Sequence, residues 1–164
     1  MTRLVAYIVR FAVILFGYAV ATLAASAFLN ILFLASLGYA PAQAHPAAAA
    51  SLYFSIPFVA LFVAYFGFMP AAAVILIAEI LGRRDWLFYA LAGALAGALV
   101  AGVFLGLVDN VRESAFAVTE TSAILAVIGG GMVGGIFYWL SAGRWAGSWW
   151  EVEKAPTSPG QSGS

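Results

Sequence analysis

The chain of 164 residues is 65% hydrophobic and only 9% charged, with no net charge and no cysteine. Soluble domains carry about 25% charged residues, so these few charges cannot cover a water-exposed surface, and we expect much of the chain to face lipid. The charge balance gives no basic patch for nucleic acid, and the lack of cysteine excludes disulfides, thiolate catalysis and cysteine-based metal sites.

Four apolar stretches are each long enough to cross a bilayer, which takes about 20 residues in a helix. They cover about residues 11–37, 52–81, 86–108 and 122–140. They are continuously apolar and do not alternate as barrel strands do, so helices are expected. We predict an all-α integral membrane protein of four transmembrane helices in two antiparallel hairpins. Its transmembrane domain covers 1–150, and a disordered cytoplasmic tail covers 151–164.

The first span follows Arg3 and Arg10, as in a secretory signal, and "AQA" at 42–44 resembles a cleavage site. Its apolar run, 11–37, is far longer than the core of a signal peptide, which has about 7–15 residues. We interpret the span as a signal anchor that stays in the membrane. Asn30 within it is a candidate for hydrogen bonding between helices or, alternatively, for a polar ion or proton site.

The second span contains Pro57 and Pro70, so it is either one kinked helix or two half-helices that turn back. The distribution of charges favours the single kinked helix. Glu79 lies near its end and is the best candidate for an ion or proton site, because charged residues inside membranes are costly and often functional. The alternative is an ion pair with Arg83, four residues on, at the membrane interface.

Small residues recur every four positions in the last two spans, which places them on one helix face. Such faces let two helix backbones approach closely, either within the bundle or between protomers. In the third span the main stripe is Ala90, Ala94, Ala98, Gly102 and Gly106, with Gly93 and Gly97 beside it. In the fourth it is Ser122, Ala126, Gly130 and Gly134, with Gly131 and Gly135 beside it.

The segment Gly129–Gly134 also matches G-x-G-x-x-G, the fingerprint of dinucleotide-binding folds, and Glu151 and Glu153 lie roughly where a ribose-binding acid would be expected. That fold needs further strands of a parallel sheet after the motif. Only residues 135–164 remain, and the last of these resemble a polar tail. The packing interpretation explains more residues, so we expect no dinucleotide.

The stretch "GGGMVGGIFYWLSAGRWAG" closes the fourth span with tyrosine, tryptophan and an arginine. It resembles the last segment of small, uncharacterised four-span inner-membrane proteins of alphaproteobacteria, which end in a glycine-rich helix followed by Tyr-Trp…Gly-Arg-x-Ala-Gly. The resemblance covers about 20 residues. It implies the four-span topology and supplies no catalytic residue.

Positive charges concentrate on one side of a four-span arrangement. That side carries Arg3, Arg10, Arg83, Arg84, Arg144 and Lys154. The other side has only Arg112, with acidic residues nearby. The positive-inside rule then places both termini in the cytoplasm, and we predict a multi-pass protein of the bacterial inner membrane. The expected interface anchors are Arg10, Arg83, Arg84, Trp139, Arg144 and Trp145.

No motif for hydrolysis, nucleotide binding or metal binding is present, and His45 is the only histidine. We therefore expect no enzyme, cofactor or metal. The leading hypothesis is a structural or accessory subunit that packs through its small-residue helix faces, as a homo-oligomer or in a larger membrane complex. The alternative is a small oligomeric transporter or channel that uses Glu79 in the kinked second span.

Overall fold

The computed structural model describes residues 2–36, 38, 46–109 and 117–145. These form four α-helices: α1 (Thr2–Ser36), α2 (Pro46–Leu81), α3 (Trp86–Asp109) and α4 (Ala117–Ser141), with a 3₁₀ turn at Gly143–Trp145. The prediction of four helices, each long and apolar enough to cross a membrane, is confirmed. The predicted tail, 151–164, and His45 lie outside the described residues.

Helix α2 runs unbroken through Pro57 and Pro70, so the structure contains one helix here and not two half-helices. It starts at Pro46, where a proline costs little because the first N–H groups of a helix have no partner within it. At 36 residues α2 is longer than the predicted span, and its extra turns precede the apolar run.

The helices pack mainly as neighbours in chain order, and α4 also closes against α1. The α3–α4 pair has the most extensive contact, followed by α1–α4. Helix α2 packs mainly against α1 and touches α3 least among these neighbouring pairs. Three helices thus form a tight group, and α2 lies along one side of it.

Backbone meets backbone where α3 crosses α4. A Cβ built on Gly93 would collide with the carbonyl oxygen of Gly131, and one built on Gly131 would collide with that of Gly93. A Cβ on Gly97 would lie 2.7 Å from the carbonyl oxygen of Val127, and one on Gly135 would collide with that of Tyr89. No side chain fits between the helices at these points, so glycine is required there.

A second face of α4 packs against α1. A Cβ on Gly134 would lie 3.2 Å from the carbonyl oxygen of Ala21, and one on Gly130 would lie 3.4 Å from Leu29. Near the end of α4, a Cβ on Gly17 would lie 2.6 Å from the Cβ of Ala142. The two adjacent glycine pairs of α4 therefore serve different neighbours: Gly130 and Gly134 face α1, and Gly131 and Gly135 face α3.

The predicted main stripe of α3 does not face α4 along its whole length: Ala90 is buried near Gly135, but Gly102 is not in the contact. Gly102 is exposed, and a Cβ there would meet nothing within 4 Å among the described residues. Ala101, four residues after Gly97 on the same helix face, is buried. Successive residues of a helix are rotated by about 100°, so Gly102 lies on another face. Gly106 lies where the structure does not describe side-chain surroundings.

The crossing of α3 and α4 gives a matched pair of substitutions. We expect Gly131→Ala to lower the free energy of unfolding by about 1–3 kcal/mol, because the new methyl group would overpack the contact. Gly102→Ala should leave it unchanged or raise it slightly, because alanine favours helix and the site is open. Denaturant titration of both variants in detergent micelles measures the difference. Equal stability of the two would contradict this description of the crossing.

Candidate functional site

An ion pair joins α1 to α2 near one end of the bundle. The guanidinium of Arg10 donates a hydrogen bond to the carboxylate of Glu79. The two side chains are only 18% and 15% exposed. Both residues fall within the apolar spans Tyr7–Ser36 and Ala50–Leu81. Each charge compensates the other where neither is well hydrated, which is the usual arrangement of charges inside membranes.

The predicted pairing of Glu79 with Arg83 is wrong. Gly82 has a positive φ of 59° and ends α2, and the N–H of Arg83 donates to the carbonyl of Ala78 at 3.1 Å. This Schellman arrangement turns the chain away before Arg83, so Arg83 does not continue the helix face of Glu79. Arg83 instead lies 3.5 Å from the carboxylate of Asp85 at the surface. Glycine directly after an apolar helix is a C-cap signal that the sequence already offered.

Two tyrosines border the ion pair. Tyr89 of α3 and Tyr138 of α4 are buried, contact each other with ring centroids 5.5 Å apart, and lie close enough to interact with the charges of Arg10 and Glu79. Neither tyrosine is among the site residues predicted from the sequence. Tyr89 and Tyr138 lie on different helices, and the sequence of each helix alone does not show that the two rings contact each other.

Asn30 lies in a hydrogen-bonded cluster between α1 and α2. Its amide donates to the carbonyl of Ser26 at 2.9 Å and accepts from the hydroxyl of Ser55 at 2.6 Å. Ser26 is fully buried and donates to the carbonyl of Ile56 at 2.6 Å. These contacts link the two helices, which is the bonding alternative we considered for Asn30. The cluster is far along both helices from Glu79, so the structure does not bring the two candidate ion-site residues together.

One predicted interface anchor, Trp139, contacts the α2–α3 turn that carries two others, Arg83 and Arg84. The indole N–H of Trp139 donates to the carbonyl of Arg84 at 2.6 Å, tying the end of α4 to this turn. Just beyond α4, the guanidinium of Arg144 lies 5.2 Å from the ring centre of Trp145, which is 53% exposed. Arg10 differs from the others, because its side chain turns inward to Glu79.

A chamber of about 160 Å³ lies between the four helices. Its wall is almost wholly apolar and includes the glycines of the α3–α4 crossing. The tyrosines beside the ion pair, Tyr89 and Tyr138, also line it. Helix α2 forms one side of the chamber, and its contact with α3 is the least extensive of the neighbouring helix pairs.

Among the described residues, no three His, Cys, Asp or Glu side chains come close enough to hold a metal ion. The chain matches no protein-family model, no curated protein and no solved structure.

The ion pair makes a specific stability prediction. Arg10→Met should cost about 3 kcal/mol of unfolding free energy, because it removes the positive charge that faces the mostly buried carboxylate of Glu79. The double variant Arg10→Met/Glu79→Met should recover most of that loss, since no charge is stranded. As a control, Arg83→Met breaks an exposed pair and should cost less than about 1 kcal/mol. A double variant no more stable than Arg10→Met would refute a direct coupling.

Proposed function

We propose that this chain is an accessory, non-catalytic protein of the bacterial inner membrane, with both termini in the cytoplasm, that works by associating with other copies inside the bilayer. Four membrane-length helices support the membrane assignment. The concentration of arginine and lysine on one side supports the orientation. Glycines of α1, α3 and α4 pack against neighbouring helices within the bundle. The apolar segment of α2 is the least buried of the four, so α2 offers the largest surface to a partner.

The outer face of α2 is large, apolar and aromatic. Only 6% of its most apolar segment is buried in the bundle, against 28% for α1. The side chains along this face are spaced three or four residues apart and each is more than half exposed: Phe54, Phe58, Leu61, Tyr65 and Met69. Lipid can cover such a face, so exposure alone does not require a protein partner.

The observation that carries the proposal is the hydroxyl of Tyr65. Tyr65 is 79% exposed, its ring contacts Phe66, and its hydroxyl makes no hydrogen bond with another described residue. It lies midway along the span Ala50–Leu81. The hydrocarbon core is about 30 Å thick, so a residue at its middle lies about 15 Å from either surface, too far for a tyrosine hydroxyl to reach water. A hydroxyl left unpaired in hydrocarbon is costly, so a partner should supply an acceptor.

A second copy of the chain offers that acceptor at the same depth. Pro70 has no N–H, so the carbonyl of Phe66, four residues earlier, lacks its usual helical donor. An unpaired donor and an under-used acceptor thus occupy adjacent residues of one helix. Two copies of α2 side by side and parallel would let Tyr65 of each donate to the Phe66 carbonyl of the other. A symmetric dimer repeats this contact twice.

The test is the dimer affinity of Tyr65→Phe, which removes only the hydroxyl. Hydrogen bonds between membrane helices contribute about 0.6 kcal/mol on average and up to about 1.7 kcal/mol, so two of them should raise the dissociation constant roughly tenfold or more. Förster transfer between labelled copies in lipid bilayers, measured against protein-to-lipid ratio, gives that constant.

Tyr53→Phe is the matched control, because Tyr53 is 81% exposed on the same helix but lies near its end, where its hydroxyl can reach the interface. It should leave the dissociation constant unchanged. A native protein that stays monomeric at every ratio would refute self-association. A monomer that co-purifies with a different membrane protein would place α2 against that protein instead.

The burial of Glu79 favours one second candidate function, a small transporter or channel in which its carboxylate exchanges a proton or cation. The carboxylate faces Arg10 and its side chain is only 15% exposed, and such a role needs a carboxylate inside the bundle. If this function holds, Glu79→Gln should abolish proton or cation flux in reconstituted vesicles, because the amide carries no titratable charge. Flux that is absent in the native protein, or unchanged in the variant, would remove this candidate.

A further inference from the structure

The polar groups that line the central chamber determine which molecules can occupy it. Its hydroxyl groups are few, and most are already engaged: Tyr18 donates to the carbonyl of Ala64 at 2.6 Å, Thr22 to that of Ala19 at 2.9 Å, and Tyr89 to that of Arg83 at 3.3 Å. A buried water needs two to four polar partners, roughly three on average, and this wall does not provide them. Water is therefore a poor occupant.

An empty chamber is also unfavourable. A cavity of about 150 Å³ in a soluble protein is large enough to bind benzene, and the chamber here is about 160 Å³. Atoms lining a void lose dispersion contacts that a filling molecule would restore. In a bilayer, hydrocarbon chains surround the protein at high concentration. The natural occupant is a chain of this kind.

One hydroxyl-bearing side chain of the chamber wall has no hydrogen-bond partner for its hydroxyl among the described residues. The hydroxyl of Tyr138 makes no hydrogen bond with another described residue, although the side chain lines the chamber and is buried. Tyr138 lies one turn before the end of α4, at the level where Trp139 contacts the α2–α3 turn. Acyl carbonyl groups of lipids sit near this level, beside the aromatic side chains of the interface.

We propose that the chamber binds one acyl chain of a bilayer phospholipid, with the hydroxyl of Tyr138 donating a hydrogen bond to its acyl carbonyl oxygen. From Tyr138 to Val127, the wall formed by α4 is about 16 Å long at 1.5 Å per residue. This is close to half of the hydrocarbon core of about 30 Å, the length available to a chain within one leaflet. The chamber is close in volume to a cavity that holds benzene, so it admits a short segment of one acyl chain and no headgroup. This segment enters beside α2, the least tightly packed helix.

The experiment uses the full chain reconstituted with a phosphatidylcholine that carries a photoreactive diazirine along one acyl chain. Excess lipid is removed in mild detergent before illumination, and labelled peptides are mapped by mass spectrometry. We expect labels on chamber residues such as Val74, Val100 and Val127. Labels confined to outward-facing leucines, such as Leu95, Leu99 and Leu125, would overturn the proposal. A parallel sample with diazirine palmitic acid tells phospholipid from free fatty acid: chamber labelling by the acid alone would overturn the assignment to a bilayer lipid.

Two matched pairs of variants sharpen the result. Ala71→Leu fills the chamber from α2, whereas Ala73→Leu adds the same bulk on the exposed side of that helix. We expect several-fold less chamber labelling in the first and no change in the second. Tyr138→Phe should weaken lipid retention, and Tyr53→Phe should not. Unchanged labelling in a folded Ala71→Leu protein would refute the site, and if this variant does not fold, the labelling pattern of the native protein decides. None of these outcomes depends on whether α2 dimerises.

Discussion

Hydrocarbon around the helices removes the hydrophobic effect as a force between them, because lipid tails are as apolar as the side chains that face them. Helices in this setting are held together by close van der Waals contact. They are also held by bonds between polar groups, because no water is available there to bind those groups. The close contact is greatest at the crossing of α3 and α4, where Gly93 and Gly131 bring backbone against backbone. Helix α4 repeats the device toward α1, so it forms the centre of the bundle.

Helix α2 is held by different means. Its contacts with α1 are hydrogen bonds from side chains, such as those of Ser26 and Tyr18, to backbone carbonyls of α2, together with the ion pair of Arg10 and Glu79. These bonds fix its position without requiring backbone contact along its length. Polar attachment at separated points leaves space between α2 and the other three helices. The chamber and the exposed outer face of α2 both follow from this difference between close backbone packing and attachment by polar bonds.

The ion pair links this architecture to possible chemistry. A single carboxylate inside the apolar span of a membrane helix suggests transport when it is viewed alone. Its partner from α1 changes the physical situation, because a compensated pair can remain charged in an apolar setting without a bound ion. An ion pair that holds α1 against α2 therefore explains the burial of Glu79 as well as a transport site does. The tyrosines at the pair and the apolar chamber beyond it favour contact with lipid over passage of ions.

Sequence alone determined that the protein is helical, that it has four membrane-length apolar helices, and which residues are small enough for close packing. Each of these depends on local composition and on a periodicity within one helix, since transfer into hydrocarbon is nearly additive along the chain. The tertiary structure decided which face of each helix is used. In the tertiary structure Gly97 and Ala101 are buried, whereas Gly102 is exposed. Arg10 pairs with Glu79, 69 positions away in the sequence, and a chamber lies between the four helices. Those choices depend on the rotation of each helix against its neighbours, which no single helix encodes.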